Sequence, residues 1–202
     1  ALKLIERLYM ARIKQVLLDN PQIIGISAQC GGVAGRSTTE AARIVLTLIE
    51  DAIARIDEGE DLPEGYEGLF IFSSDVSAAF DGLTAATKEL ALRRLGLPEG
   101  FLAFVKESQD NAPRRVRFAD GTFSEEFVLR RGAAQGSILS PFIWIAFVAM
   151  WLDHAEVCGR SYTCKSGVQI SGVGFVDDII SAAQNEANMK ETVVEFAKFH
   201  GV

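Results

Sequence analysis

The chain has 202 residues, of which 49% are hydrophobic, and a formal charge of −7. Such a chain can bury one sizeable core, and no long tract has the composition of a disordered segment. Its three cysteines (Cys30, Cys158, Cys164) lack a framework spacing, which excludes a disulfide-built scaffold and suits a reducing, intracellular compartment.

Leu2 to Leu18 reads as an amphipathic helix, with an apolar stripe of Leu4, Ile5, Leu8, Ile13, Val16 and Leu17. Ser37-Thr38-Thr39-Glu40 is a capping-box pattern, so a helix should follow to about Ile56. Residues 50–67 carry eight acidic residues and one arginine, read as solvated, and Glu58 to Gly68 is expected as a surface loop. Leu69 to Asp75 is expected as a short buried strand. Thr84 to Leu95 should be helical, ended by Gly96 and Pro98, with a second short helix from Pro98 to Gln109. Arg115 to Ala119 and Thr122 to Leu129 flank Asp120-Gly121, a two-residue hairpin signal.

Ser137 is a reasonable N-cap for the apolar helix that runs to about His154, with Pro141 in its first turn. The apolar run Ile138 to Leu152 is shorter than the ~20 residues of a membrane span, so no membrane partner is expected. Val168 to Val176 and Ile179 to Ala183 should form a hairpin around Asp177-Asp178, and Glu186 to His200 a final helix. The order describes an α+β fold, a small antiparallel sheet packed on helices.

Charge and metal-binding residue types need separate attention. The acidic balance is unexpected for a nucleic-acid binder, yet the charge is uneven: from Lys88 to Arg131 nine basic residues, among them Arg93, Arg94, Arg114, Arg115, Arg117, Arg130 and Arg131, stand against seven acidic ones, which also reads as ordinary basic surface. His154, Cys158 and Cys164 offer three soft donors, but without a CxxC pair they do not make a zinc motif.

Two acidic motifs carry more chemistry. In FSSDVSAAFD (Phe72 to Asp81) and GFVDDII (Gly174 to Ile180), apolar residues lead into aspartates at an expected strand end. A charge at a buried strand end is costly unless a cation meets it, and adjacent aspartates repel. Mg²⁺ takes such hard oxygen ligands, and carboxylates from two strands could hold a metal pair roughly 3.5–4 Å apart. Between them lies RRGAAQGSILSPFIWIAF (Arg130 to Phe147), a glycine-bearing loop before an apolar helix.

The order D-x-x-x-AFD, RG-x-x-QGS-x-LSP, F-x-DD resembles the reverse transcriptases, most closely those of non-LTR retrotransposons. The first motif matches at Asp75, Ala79, Phe80 and Asp81. The second matches at Gly132, Gln135, Gly136, Ser137, Leu139, Ser140 and Pro141, and the third at Phe175, Asp177 and Asp178. Upstream, QCGGVAGRSTTEA is similar to the family's Q-x-G-F-R-P-G-R-S-T segment at Gln29, Gly31, Gly35, Arg36, Ser37 and Thr38. The resemblance implies the palm of a right-hand polymerase with part of its fingers. Residues 1–68 would be partial fingers and a helical connection, residues 69–202 the palm, and the thumb is absent.

The resemblance also implies roles. Asp75 and Asp177 would bind two Mg²⁺ ions (Mn²⁺ as a substitute), facing each other across neighbouring strands. Asp178 would support them, and the Val76 backbone carbonyl would complete the coordination. Phe80 would stand beneath the incoming sugar and select deoxynucleotides, the alternative being core packing. Gln135 and Gly136 would shape the nucleotide and template pocket. Arg36 and Ser37 would meet template or primer, and Asp81 would cap the following helix. Partners would be an RNA template, a DNA primer and deoxynucleoside triphosphates. Apolar surface left where thumb and fingers dock would allow self-association.

The chain departs from the family at Ala134, where a proline is usual, and at Gly32-Val33-Ala34, where Phe-Arg-Pro is usual. Such drift fits a decayed, non-catalytic binding module; the other alternative is an RNA-directed RNA polymerase, which shares the palm but against which Phe80 argues.

Overall fold

The Ser37 hydroxyl accepts a hydrogen bond from the Glu40 backbone N–H (3.3 Å), and a helix begins at the next residue, as the capping pattern requires. The computed structural model describes residues 2–20, 29–33, 35–58, 62–76, 79–134 and 136–200. Its elements in chain order are α1 (Leu2–Asp19), α2 (Thr38–Glu58), β1 (Phe70–Asp75), α3 (Ala79–Gly82), α4 (Ala85–Arg94) and α5 (Glu99–Val105). A π-helical turn (Lys106–Asp110) follows, then α6 (Ser140–Val157), β2 (Tyr162–Thr163), β3 (Gln169–Ile170), β4 (Gly172–Phe175), β5 (Asp178–Ala183) and α7 (Glu186–His200).

The chain divides into two compact units. One comprises Ala1–Val16 with Ala78–Phe147, the other Leu17–Ser77 with Val148–Val202. These units cut the chain at other points than the expected boundary after residue 68, which names functional parts rather than compact ones.

The second unit holds the three-stranded antiparallel sheet, in the order β1-β5-β4, and the β2-β3 ribbon. β5 is central, and its Ile179, Ser181, Ala182 and Ala183 are buried. β1 is an edge strand in which half-buried Phe70, Phe72 and Ser74 alternate with exposed Ile71, Ser73 and Asp75. The expected buried strand is therefore open on one face. Its inward face meets α7 through the Phe72 and Phe196 rings, 5.4 Å apart, and Trp151 of α6 stands 5.2 Å from Phe196. A second cluster joins Leu48 and Ala52 of α2 to Tyr162, Cys164 and Ala182.

In the first unit, Tyr9 of α1 packs on Phe101 and Phe104 at 5.0 Å each. The predicted stripe on α1 is largely uncovered, with Leu4 63% and Leu8 60% exposed, whereas Glu6 is 2% exposed. The chain turns at Asp120-Gly121, but as a three-residue loop rather than the expected two-residue one: the Phe118 N–H donates to the Thr122 carbonyl (2.9 Å) and the Gly121 N–H to the Phe118 carbonyl (3.0 Å), with Gly121 at φ +87°. Its arms pair through isolated bridges, Arg114 with Phe127 and Arg117 with Phe123, and the Ser124 N–H donates to the Val116 carbonyl (2.9 Å). Among the described residues no helix is long and apolar enough to cross a membrane.

Candidate active site

Antiparallel pairing brings the two acidic motifs together at one end of the sheet. In the β1–β5 ladder Asp75 stands directly opposite Asp178, and in the β4–β5 ladder Asp178 stands opposite Phe175. Directly opposed residues share a face, with Cβ atoms roughly 5 Å apart. The expected neighbour of Asp75 was Asp177. The register instead aligns Asp178 with it, and Asp177 occupies the turn between β4 and β5. Asp75 and Asp178 are exposed and Asp177 is half-buried, so desolvation is not what sets this site. No ion pair to any of the three exists among the described residues. Negative charge is concentrated at this end of the sheet.

The turn that carries Asp177 is a two-residue hairpin loop, Val176-Asp177, and Val176 has φ +59°. Two-residue hairpins require positive φ to match strand twist. A β-branched residue rarely adopts it, at a cost of about 1–3 kcal/mol.

Neighbouring structure holds the turn in place. Gln29 forms a parallel bridge with Gly174, and the Cys30 N–H donates to the Gly174 carbonyl (2.8 Å). Gly31 then lies against the turn so closely that an added Cβ would come 2.3 Å from the Val176 nitrogen and 2.8 Å from its Cγ2. Gln29 is fully buried, and its Oε1 accepts from the Gly31 N–H (3.1 Å). Its Nε2 has no hydrogen-bond partner among the described residues. The sequence matched Gln29 and Gly31 to a motif without saying what they do. Only the fold shows that they run beside β4 and brace the turn.

Arg36 and Ser37 follow in the same unit. Arg36 forms an ion pair with Glu40 at 3.9 Å, and Ser37 caps α2. Burial, reinforced by the Glu40 charge, pushes the Cys30 thiol up, and Arg36 acts in the opposite sense.

The glycine-bearing loop lies in the first unit. It is stitched to the segment that follows β1. Thr84 bridges Arg131, the Gly132 N–H donates to the Leu83 carbonyl (2.7 Å), and the Ala133 N–H donates to the Phe80 carbonyl (2.8 Å). Gly132 has φ +96°, which accounts for its residue type. Lys88, 1% exposed, donates its ammonium to the Gly132 carbonyl (2.9 Å) and pairs with the Asp110 carboxylate. Buried Glu6 accepts from the Ser137 hydroxyl (2.7 Å) and the Ile138 N–H (3.0 Å).

Ser137 therefore is not the helix cap that was expected. Its oxygen takes the Gln109 amide (3.1 Å) and the Leu139 N–H (3.1 Å), and α6 begins only at Ser140. Nor does Asp81 cap the next helix. It lies within α3, and Thr84 is the N-cap of α4 in a reciprocal pair with Thr87. Phe80 is half-buried with its ring 5.7 Å from Trp144. Gly136 is exposed at φ +79°, Val76 is half-buried, and Gln135 lies outside the described residues.

Over 129 residues the chain is 28% identical to a retrovirus-related Pol polyprotein from the type-1 retrotransposable element R2 of Popillia japonica. The match covers 64% of this chain and 18% of that protein. It is also 28% identical over 130 residues to the Pol polyprotein of the type-2 element R2DM of Drosophila melanogaster, covering 62% of this chain and 12% of that one. This likeness supports a reverse transcriptase domain of the kind found in non-LTR retrotransposons. No protein-family model matches the chain. The fold agrees with that of an apo telomerase from Candida tropicalis truncated of its C-terminal domain. The TM-score is 0.66 at 17% identity, covering 94% of this chain and 37% of that one. The chain thus has a polymerase palm-like fold. It spans less than a fifth of the length of the curated relatives it matches.

Proposed function

We propose that this domain is the catalytic segment of an RNA-directed DNA polymerase, adding deoxynucleotides to a primer 3′-end on an RNA template. The observation that supports this most is the meeting of Asp75 with the Asp177-Asp178 turn at one sheet end. Three carboxylates there, with no cationic partner among the described residues, make an oxygen-only donor set that fits hard divalent cations such as Mg²⁺. Bound there, two such ions would supply charge stabilisation at the attacking 3′-oxygen and the leaving pyrophosphate.

The chain's own residues have the following parts. Asp75 and Asp177 hold the ions, with the Val76 carbonyl as a further oxygen. Asp178 supports them from the strand directly opposite Asp75. Phe80, its ring against Trp144, limits the sugar to deoxyribose. Gly136, with no side chain to block approach, and Gln135 shape the nucleotide and template pocket. Arg36 and the Ser37 hydroxyl, which still has a proton to donate, contact template or primer phosphate. The finger and palm assignment (1–68 and 69–202) belongs to this reading.

Primer extension with Mg²⁺ and deoxynucleotides on an RNA template tests it. Addition of a few nucleotides is expected, since the chain spans less than a fifth of the length of the curated relatives it matches. Asp75→Asn and Asp177→Asn should each remove that addition, and Phe80→Val should admit ribonucleotides. Undiminished extension by Asp75→Asn would sink the proposal. A wild-type preference for ribonucleotides would identify an RNA-making enzyme instead.

A further inference from the structure

Outside the acidic turn, the described residues contain a compact cluster of soft and hard donors. His154 lies on the last turn of α6 and Cys158 is the residue just past its end, where its N–H still donates to the His154 carbonyl (3.0 Å), so the i, i+4 spacing puts both on one face. Glu195 reaches them from α7. The three ligand atoms lie within 4.8 Å of one another. His154 Nε2 is 3.0 Å from Glu195 Oε2, Cys158 Sγ is 3.5 Å from His154 Nε2, and Cys158 Sγ is 3.9 Å from Glu195 Oε2.

These separations can be set against a metal centre. Zinc bonds of about 2.0–2.2 Å to nitrogen or oxygen and about 2.3 Å to sulfur, arranged tetrahedrally, put neighbouring donors about 3.3–3.6 Å apart. The observed separations bracket that range. We propose that His154, Cys158 and Glu195 form a site for Zn²⁺ or a similar thiolate-binding divalent cation, with an open fourth position for water.

The scaffold supports this. Trp151, 1% exposed, packs edge-on against Phe196 and at a tilt against Phe199 and His154, so α6 and α7 are held together beside the donors. Arg160 donates to Glu195 Oε2 (2.6 Å) and lies 3.6 Å from Glu191. A ligating carboxylate usually has such an outer partner, and the second oxygen of Glu195 allows it to hold both. The charges also balance, since a thiolate and a carboxylate neutralise the dication. Binding converts the Cys158 thiol to a thiolate and releases one proton to solvent.

Sequence spacing grouped His154 and Cys158 with Cys164. Cys164 is instead buried in the cluster with Leu48 and Tyr162, and the third donor comes from a helix 37 residues beyond Cys158. The cation would pin α7 to α6, behind the strand that carries Asp75. This inference does not depend on polymerase activity.

Cobalt substitution in the metal-free full chain is the test. One Co²⁺ per chain should bind with a sulfur-to-cobalt charge-transfer band, and Zn²⁺ should displace it. Cys158→Ser should abolish the band. His154→Ala and Glu195→Gln should each weaken Zn²⁺ binding by about tenfold or more, and Cys164→Ser and Cys30→Ser should leave both readouts intact. Helical circular dichroism monitors folding of each variant. The proposal is overturned if no sulfur band forms, if the band survives Cys158→Ser, or if cobalt binds without a sulfur band and is lost with Asp75→Asn, which would place it at the acidic turn.

Discussion

Gly31 lies against the backbone of Val176 with no space for a side chain, an added Cβ falling 2.3 Å from the Val176 nitrogen. A residue far upstream in sequence thus braces the turn that presents Asp177. Gly31→Ala must push the turn or the bracing strand away. We expect a loss of about 1–3 kcal/mol in denaturant unfolding, typical of overpacking. In the proposed polymerase, primer extension should fall more than stability alone explains. Wild-type stability for Gly31→Ala would show that the contact is not enforced.

Val176 is the strained partner in that contact, at φ +59°. Valine to glycine inside a strand removes packing and adds backbone freedom, and both destabilise. At Val176 the same change also relieves a left-handed valine. Val176→Gly should therefore stay within about 1 kcal/mol of wild type, whereas Val173→Gly in buried β4 should cost clearly more. Urea unfolding of the two variants checks the contrast.

Asp75 and Asp178 oppose each other across β1 and β5. Like charges so placed repel, by a few tenths of a kcal/mol at an exposed position. Asp178→Asn should raise the melting temperature slightly at low ionic strength without divalent cations, and the gain should shrink as salt is added. Adding Mg²⁺ should stabilise wild type more than Asp178→Asn. Equal Mg²⁺ responses in the two proteins would deny Asp178 a part in cation binding.

Lys88 is a buried cation with two partners, the Gly132 carbonyl and the Asp110 carboxylate. Lys88→Met leaves both without it. Breaking such a pair costs about 3–5 kcal/mol. Lys88→Met with Asp110→Leu should recover much of that loss, since no charge is then stranded. A double variant no more stable than Lys88→Met would show that the Gly132 carbonyl dominates.

Asp51 links stability to pH. Burial alone would raise its carboxyl. Hydrogen bonds from the Lys165 N–H (2.9 Å), the Tyr162 hydroxyl (2.8 Å) and the Arg55 guanidinium (3.1 Å) outweigh burial and hold it below the ordinary range. The unfolded chain then binds the proton more readily than the folded one. This stabilisation is complete above the unfolded carboxylate range, near pH 4, and is lost as pH falls through the lower folded value. Asp51→Asn should lower stability at neutral pH and flatten its fall below about pH 4. An unchanged acid limb would remove Asp51 from the linkage.

Asp51 also shows where sequence reading stops. It lies in an acidic run read as solvated surface, yet it gathers three donors, two of them more than a hundred residues away. Glu6 is similar. On an apolar-striped helix it reads as the solvated face, but the structure buries it against Ser137 and Ile138 and leaves Leu4 and Leu8 open. Helix periodicity reports a preference for water. It does not report which surface another segment covers.

The sequence by itself determined what local rules govern: the capped start of α2, the span of α7, the turn at Asp120-Gly121, and two acidic motifs read as strand ends. Their order and residue types identified the relatives before any coordinates. The tertiary structure alone decided the register that places Asp178, rather than Asp177, opposite Asp75. It also decided the docking of Gln29 and Gly31 beside β4, and the convergence of His154 and Cys158 with Glu195. All three are long-range pairings that no local pattern encodes, the register most plainly. A strand's side-chain period is two, so a shift of one residue exchanges its faces, and only long-range pairing and packing fix that shift.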